Sequence, residues 1–311
     1  MDSAAIERFE AGRARLASLA YRLLGSAADA EDAVQDAFLR WQAADREHIE
    51  VLEAWLTKVV TNLCLDRLRS AQARHERAVG DWLPEPLLEG DPMLGPAETF
   101  EQRESVSLAV LTLMERLSPV ERAAYVLREA FSYSHAEIAG ILGITESASQ
   151  QHVHRARRRV AAERRADKVD RAAARRVVEE FLAAATSGRT ERLVAMLTAD
   201  VTVVSDGAGL AKRLLRYRTP ERVAVLVRAG FKPTPAKLRL AGGAPLFHIA
   251  LVNGSQGVLA VVDGRVVGVV AFELSGGKVA SLRGIAAADR LARLNEAWRL
   301  HRPDAPVING W

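Results

Sequence analysis

The sequence predicts a multidomain protein in which two all-α domains precede an α+β domain. Apolar residues at helical spacing run through residues 4–70 and again through 105–166. Prolines and glycines interrupt them in "AVGDWLPEPLLEGDPMLGPAETFE", and after about residue 171 two helices give way to short β-branched runs between Gly, Asn and Asp turns. A chain of 311 residues is long enough for two or three domains. We therefore place domains at 1–75, 105–166 and 167–311, with a linker at 76–104.

Three segments of the first domain carry clear helix signals. "IERFEAGRARLASLAYRLLG" has apolar residues at helical spacing and stops at Gly25. Ser26 can cap the next helix, "AADAEDAVQDAFLRWQ", which is acidic on one side. "VLEAWLTKVVTNLCLDRLRSAQARHER" is predicted to be one long helix with a basic end.

The second domain contains two serine caps and a sharp turn. Residues 118–121 (Ser-Pro-Val-Glu) and 134–137 (Ser-His-Ala-Glu) are capping boxes. A helix is predicted at 137–142, followed by a turn at Gly143, where a positive φ is cheap only for glycine. Thr145 then caps a second helix. This order is typical of a helix-turn-helix, whose second helix docks in the DNA major groove.

The second helix leaves polar side chains for solvent or DNA. Glutamine can bind adenine and arginine can bind guanine, and both also reach phosphates. The alternative is an amphipathic hairpin with a solvated basic face. The exposed candidates are Ser147, Gln150, Gln151, His154, Arg155 and Arg158.

The charges are unevenly distributed although the net charge is only +4. The acidic cluster near residues 29–36 favours a basic partner, and the arginines of 155–165 favour a polyanionic one. The alternative is two solvated helix faces. Cys64 is the single cysteine, which fits a core position and a reducing cytoplasm, and no apolar run of about 18 residues or signal peptide is apparent. His152 and His154 face different ways on a helix, so we expect no metal there.

Two motif blocks resemble one protein family. "GSAADAEDAVQDAFLRW" with "AWLTKVVTNLCLDRLRS" resembles region 2 of the extracytoplasmic-function (ECF) sigma factors of bacterial RNA polymerase. "LMERLSPVERAAYVLREAFSYSHAEIA" with the helix-turn-helix resembles their region 4. The resemblance covers about the first half of the chain. It implies a sigma region 2 helical bundle and a region 4 helix-turn-helix, which bind core RNA polymerase and promoter DNA.

The resemblance also implies roles for particular residues. The family binds the polymerase β′ clamp with the acidic helix, and region 4 contacts the β flap. The family captures a flipped base with the loop that corresponds to 45–50. Plain helix surface remains the alternative for Asn62 and Asp66. The implied polymerase-binding residues are Asp29, Glu31, Asp32, Gln35, Asp36 and Arg40. The implied −10 residues are Asn62, Asp66 and Arg69, and the implied −35 residues are Thr145, Ser147, Gln150, Gln151, His154, Arg155 and Arg158.

Ser149 departs from the family pattern. The family usually has a β-branched apolar residue here, facing the first helix of the pair. Serine is smaller and polar, and it can bond back to a carbonyl one turn earlier. We therefore expect a change in how tightly the two helices pack.

The third domain resembles the SnoaL-like, or NTF2-like, cone fold. The resemblance therefore implies two all-α sigma domains followed by an α+β cone domain. "DWLPEP" in the linker and "SDGAGLAKR" at 205–213 resemble motifs of sigma factors with this extension, although the second motif, glycine-rich in that subgroup, is altered here. The resemblance implies that the extension controls the sigma domains in cis. The expected contact joins Trp82, Leu83 and Pro84 to the loop from Asp206 to Lys212.

The spacing of the titratable residues along the third domain does not indicate a catalytic site. Asp200, Asp206, His248 and Asp263 are scattered. We therefore predict no enzyme, no metal and no cofactor, and a cone pocket that senses a small apolar ligand. Two rival hypotheses remain: a one-component transcription factor, and a SnoaL-like enzyme fused to a DNA-binding module. The motif block at 25–70 argues against the first, as would polymerase-dependent DNA binding, and a pocket lined only by apolar residues would exclude the second.

Overall fold

The computed structural model describes residues 3–45, 49–73, 82–95, 105–163, 169–209, 214–232 and 234–309. The chain forms two compact units. The first unit contains Met1–Glu85, Gly90–Val106 and Val110–Glu163, and the second contains Pro86–Glu89, Ser107–Ala109 and Arg164–Trp311. Most of both helical domains therefore lies in the first unit, whereas residues 107–109 and part of the linker belong to the second.

Short connections with strong caps join the helices of the first unit. Gly25 ends the first helix at φ +67°, and the Ser26 hydroxyl accepts from the Asp29 amide at 3.2 Å. Both predicted capping boxes are present, and Gly143 is left-handed at φ +66°. The helices are α1 Ser3–Leu24, α2 Ala27–Ala43, α3 Leu52–Ala73, α4 Leu108–Met114, α5 Pro119–Glu129, α6 His135–Leu142 and α7 Glu146–Glu163, with a short 3-10 helix at Pro92–Leu94.

Apolar side chains from α1, α2 and α3 fill the first domain. Phe9 stacks on Trp41 with ring centroids 5.9 Å apart, and both side chains are buried. Cys64 is fully buried, and this burial raises the pKa of its thiol to about 12. It is therefore a core residue, as the sequence predicts.

The second unit is a helix-covered mixed sheet. The strand order is β2-β1-β6-β5-β4-β3; β1 and β6 are parallel and the other pairs are antiparallel. The helices are α8 Arg171–Thr186, α9 Thr190–Ala195, α10 Pro220–Phe231, α11 Pro235–Ala241 and α12 Ala292–Leu300. The strands are β1 Leu197–Ser205, β2 Leu215–Arg218, β3 Leu246–Val252, β4 Ser255–Val262, β5 Arg265–Ser275 and β6 Lys278–Ile285.

The core of the second unit lies between α8 and the sheet. Phe181 on α8 meets Phe272 on β5 edge to face, with centroids 5.5 Å apart, and both are buried. Apolar residues surround this pair, including Val178 and Leu182. The α+β prediction is confirmed, with helices α10 and α11 inserted between β2 and β3. None of the helices in the described ranges is long and apolar enough to cross a lipid bilayer.

Candidate functional site

The acidic helix α2 presents its charges outward. Four of its six predicted partner-binding residues are exposed, namely Glu31, Asp32, Gln35 and Arg40. Asp29 and Asp36 are half-buried because Arg67 of α3 reaches across to them. The guanidinium donates to the Asp29 carbonyl at 2.7 Å and to the Asp36 carboxylate at 2.8 Å. This brace fixes α2 against α3 and leaves an acidic outer surface.

The predicted −10 residues follow one side of α3. Asn62 is half-buried, and Asp66 and Arg69 are exposed. The Asp66 carboxylate and the Arg69 guanidinium lie 3.5 Å apart, one helical turn from each other. An exposed pair of this kind is worth little, so both groups are available to another partner. Residues 46–48 of the predicted base-capturing loop lie outside the described residues.

Helices α6 and α7 form the predicted helix-turn-helix. α6 begins at His135, two residues before the predicted start, and α7 begins at Glu146 as expected. Ile138 and Ile141 on α6 and Val153 on α7 are buried. The seven predicted −35 residues are all exposed: Thr145, Ser147, Gln150, Gln151, His154, Arg155 and Arg158.

Ser149 makes a polar contact between the two helices of this motif. Its side chain is fully buried, and its hydroxyl lies 3.0 Å from Nδ1 of His135 at the start of α6. The hydroxyl thus contacts the neighbouring helix, where a bond to a carbonyl one turn earlier in its own helix was expected. A hydrogen bond between helices replaces the apolar contact that a β-branched residue would make.

Glu121 anchors the basic end of α7 to the start of α5. Its carboxylate accepts from the Ser118 amide at 3.1 Å, from Arg155 at 3.0 Å and from Arg159 at 2.8 Å. Burial acts to raise the pKa of Glu121, but these hydrogen bonds and charges outweigh it and lower the pKa. The carboxylate therefore stays ionised and holds two arginines of α7 in place. The sequence predicted its capping role but not this ion pair.

An aromatic turn ahead of α6 packs the second helical domain against the first. The hydroxyls of Tyr133 and Thr57 on α3 lie 3.2 Å apart. Arg15 of α1 lies over the Phe131 ring at 5.0 Å and donates to the Tyr133 hydroxyl at 3.3 Å. Arg22 also lies over Phe131, at 5.5 Å, and burial lowers its pKa to about 10. Both helical domains thus share one polar and aromatic contact, which sequence patterns do not reveal.

Residues 82–85 of the linker, Trp-Leu-Pro-Glu, belong to the first unit. Trp82 lies directly against Gly25, where a Cβ atom would collide with its ring, and Leu83 is fully buried. The Glu85 amide donates to the Gly25 carbonyl at 2.9 Å, and the Tyr21 hydroxyl donates to the Glu85 carbonyl at 2.7 Å. The Glu85 carboxylate accepts from the amide of Ala27 at 3.1 Å, at the first turn of α2.

The next four residues, 86–89, belong to the second unit and extend the edge of its sheet. The Leu87 amide donates to the Asn253 side chain at 2.8 Å, and the Asn253 amide donates back to the Leu87 carbonyl at 2.9 Å. Leu88 pairs with Val252, and the Glu89 amide donates to the carbonyl of Leu251 at 2.9 Å. This is strand addition to the edge strand β3.

Asp206 ties together two strand ends inside the second unit. Its carboxylate accepts from the amides of Ala286 at 3.0 Å, Ala287 at 2.9 Å and Ala208 at 3.0 Å. Ala208 is itself left-handed at φ +60°, a conformation that costs a non-glycine residue energy. Lys212 lies outside the described residues. The expected contact of Trp82, Leu83 and Pro84 with the Asp206 loop would join the two units and stays a prediction.

The other titratable candidates of the second unit lie in separate environments. His248 is buried, and its Nδ1 donates to the Asp304 carbonyl at 3.0 Å. Asp200 is exposed on β1, and Asp263 lies in a turn at φ +48°. In the part of the chain that the structure describes, no three His, Cys, Asp or Glu residues are grouped in a way that suits a metal ion.

Comparisons with known proteins match this arrangement. The family models Sigma-70 region 2 and Sigma-70, region 4 match residues 8–74 and 107–160. The ECF RNA polymerase sigma factor SigJ of Mycobacterium tuberculosis is 38% identical over 298 residues, which are 92% of each chain. The chain belongs to the ECF sigma factors.

Two relatives match nearly the whole of this sigma factor. The crystal structure of M. tuberculosis SigJ aligns with a TM-score of 0.69 and 33% identity, covering 93% of this chain and 98% of that one. A probable ECF sigma factor, SigI of M. tuberculosis, is 32% identical over 280 residues, 88% of this chain and 90% of its own. The predicted order of domains is confirmed: sigma regions 2 and 4 are followed by an α+β domain. The NTF2-like character of that domain stays a prediction.

Proposed function

We propose that this sigma factor binds core RNA polymerase through α2 and directs it to promoters through α3 and α7. We further propose that its NTF2-like domain controls this activity in cis. The observation that carries the second proposal is the division of one linker segment between two folding units. The protein acts in the cytoplasm and works by binding, without catalysis.

The surface of α2 supports binding to the polymerase. Its exposed carboxylates suit a basic partner such as the β′ clamp, and Leu39, whose side chain is 51% exposed, adds an apolar contact among them. Arg67 neutralises part of the cluster and keeps the helix in place before the partner arrives. Region 4 would contact the β flap, as the family resemblance implies.

The exposed side of α7 supports recognition of the −35 element. Gln150 and Gln151 can donate to and accept from adenine, and Arg158 can reach guanine or phosphate. Because Glu121 holds the Nε of Arg155 and a terminal nitrogen of Arg159, these arginines are pre-oriented, which lowers the entropy cost of phosphate binding. On α3, Asn62, Asp66 and Arg69 would contact the −10 element during strand opening.

The contact at Tyr133 indicates a resting form. Elements named −35 and −10 are about 25 base pairs apart, or roughly 85 Å at about 3.4 Å per pair. Tyr133 lies two residues before α6, the first helix of the helix-turn-helix, and touches Thr57 of α3. One protein cannot keep this contact while its two helical domains bind elements so far apart. We infer that promoter engagement separates them.

Through the linker, the NTF2-like domain can act on the equilibrium between joined and separated helical domains. Glu85, bonded to the first turn of α2, and Pro86, the first residue counted with the second unit, are consecutive. Only Pro86 separates Glu85 from Leu87, whose amide donates to Asn253, so docking of 86–89 on β3 restrains the chain next to α2. A tethered contact of this kind operates at high effective concentration.

Run-off transcription with purified core polymerase tests both proposals. We would compare the full chain with a version ending at Ala166 and with Asn253→Ala, which removes the side chain that accepts from Leu87. Exposed Asn309→Ala is the matched control. We expect core-dependent, promoter-selective initiation, changed in the same direction by truncation and by Asn253→Ala.

Two results would contradict the proposals separately. Equal activity of all four proteins would remove control in cis while leaving the sigma function intact. Promoter binding without polymerase, together with no initiation from any version, would favour the one-component transcription factor instead.

A further inference from the structure

A cleft of about 390 Å³ opens at the β3 edge of the second unit. It lies between β3, the start of α8, the segment after α12 and residues 88–89 of the linker. Its size falls within the range of small-molecule sites, roughly 300–1,000 Å³. The buried core between α8 and the sheet contains Phe181, Phe272 and their neighbours, and the cleft opens beside this core at the edge strand β3.

The walls of the cleft carry three arginines and two carboxylates, and Arg175 has a further ion pair at 2.9 Å with Glu179 on α8. Arg171, Arg175 and Arg302 line it, against the carboxylates of Glu89 and Asp304. Arg171 pairs with Glu89 at 3.0 Å and Arg175 with Asp304 at 2.8 Å, in partly exposed pairs that hold their partners weakly. Each guanidinium carries five N–H donors, so one or two ion pairs leave donors for an incoming anion.

The floor of the cleft is apolar. Leu88 and Ile249 are buried side chains that line it, and Leu251 lies beside them on β3. The half-buried Leu251 and the exposed edges of Leu88 and Ile249 form a small apolar surface that an apolar ligand body would cover. The cleft therefore suits a molecule with a charged head and a short apolar body.

Two buried polar side chains fix the walls. Gln256 donates to the main-chain carbonyl of Arg171 at 3.1 Å, and His248 donates to the main-chain carbonyl of Asp304 at 3.0 Å. Both side chains are at most 9% exposed. The arginine-bearing wall and the wall formed by the C-terminal segment are thus held in position before a ligand arrives, which lowers the cost of binding.

We propose that this cleft binds a small organic anion, a carboxylate or a phosphate monoester, whose apolar body is about the size of a short alkyl chain. Arg175 and Arg302 hold the charged head, and Leu88 and Ile249 cover the body. Because Leu88 belongs to the linker segment, the bound anion stabilises the docking of residues 86–89 on β3. That consequence rests on the proposed control in cis; the binding itself does not.

Calorimetric titration of the full chain tests the site without polymerase. The probes are hexanoate and hexyl phosphate. The controls are hexan-1-ol, which lacks the charge, and acetate, which lacks the apolar body. We expect saturable binding of at least one of the two anions. Hexan-1-ol and acetate should each bind at least about tenfold more weakly, since each loses one of the two contributions.

Arginine variants locate the binding. Arg175→Gln and Arg302→Gln should each weaken the anion at least about tenfold, as expected for a lost charge-assisted contact. Arg228→Gln on α10, an exposed arginine that does not line the cleft, is the control for net charge and should change nothing. Thermal midpoints of the free variants check folding.

Three outcomes would overturn the proposal. One is the absence of saturable binding of either anion. Another is equal weakening by Arg228→Gln, which marks non-specific ion binding, and a third is hexan-1-ol binding as tightly as hexanoate, which marks an apolar site. Transcription is measured in a separate experiment. A negative result in the anion titration therefore does not contradict the sigma function, and a lack of transcription initiation does not contradict anion binding.

Discussion

The two halves of the linker segment 82–89 are held by different partners. In the first half the Trp82 ring lies against Gly25, where a Cβ atom would collide with it, and Glu85 adds hydrogen bonds to the start of α2 and the residues before it. The second half, 86–89, makes hydrogen bonds to β3 and to the Asn253 side chain, and it buries two leucines, Leu87 and Leu88. A single run of eight residues therefore completes two folds.

This difference indicates which half can act as a switch. The first half buries Leu83 and interlocks with the end of α1, so its release requires the helical unit to repack. The second half also buries Leu87 and Leu88, but it covers an edge strand, and its release leaves the pairing of the six strands of the sheet unchanged. We therefore expect the second half to release first.

The largest effect should come from Gly25→Ala. A left-handed alanine costs about 1–2 kcal/mol, and its Cβ would also collide with the Trp82 ring, an overpacking cost of about 1–3 kcal/mol. We expect the free energy of unfolding of the helical unit, measured by chemical denaturation, to fall by about 2–5 kcal/mol. In a Trp82→Ala background there is no ring to collide with. Gly25→Ala should then lower the free energy of unfolding only by the cost of a left-handed alanine. An identical cost in both backgrounds would show that Trp82 is not held by Gly25.

Asn253→Ala should have the next largest effect. It leaves the buried Leu87 amide without its acceptor, at a cost of about 1–3 kcal/mol. We expect faster hydrogen exchange at the amides of Leu87 and Glu89. Asn253 is left-handed at φ +50°, so Asn253→Gly relieves the backbone while removing the side chain, and Asn253→Asp keeps an acceptor oxygen. Exchange should rise with glycine and change least with aspartate; unchanged exchange in all three would refute strand addition as the holding force.

Glu85→Gln should have a smaller effect. The carboxylate accepts from the Ala27 amide at the positive end of the α2 dipole, an interaction worth about 0.3–1 kcal/mol for the charge. Denaturation at low and high salt should show this loss at low salt and little of it at high salt, because salt screens the dipole. A loss independent of salt would mean that the charge of Glu85 is not what α2 requires.

Glu89→Gln should have the smallest effect. Its ion pair with Arg171 is more than half exposed on both sides, so we expect a loss below about 0.5 kcal/mol. The same change removes a negative charge from the cleft, so hexanoate should bind more tightly to this variant. A loss of stability as large as that of Asn253→Ala would mean that the ion pair, and not the strand addition, holds the second half.

Local signals in the sequence predicted the helical unit well. Caps at Ser26, Ser118, Ser134 and Thr145 each bond where the pattern places them. The second unit was predicted less completely. Helices α10 and α11 were missed, although Pro220 and Pro235 at their starts are typical first-turn residues. "PERVAVLVRAGF" is rich in β-branched residues, and short apolar runs of this kind do not separate helix from strand.

The candidate sites also contain one part that the sequence predicts and another that it does not. The exposed residues of α2 and α7 follow from helical periodicity and charge, because the partners of a helix face lie three or four residues apart. The Glu121 clamp joins residues 34 and 38 positions apart, and the Ser149 contact with His135 crosses a turn. Neither follows from a local repeat.

The sequence by itself determined the helical domains, their caps, the opposite charges of α2 and α7, and the family. These properties depend on neighbours within a few residues, so one linear pattern contains them. Tertiary structure decided how the linker is divided, since Leu87 meets Asn253 from 166 positions away. It also decided that Asp206 holds strand ends and that Ala208 takes a left-handed conformation where the related motif has glycine. Such contacts depend on the path of the whole chain, because packing brings together residues whose separation in sequence carries no periodic signal.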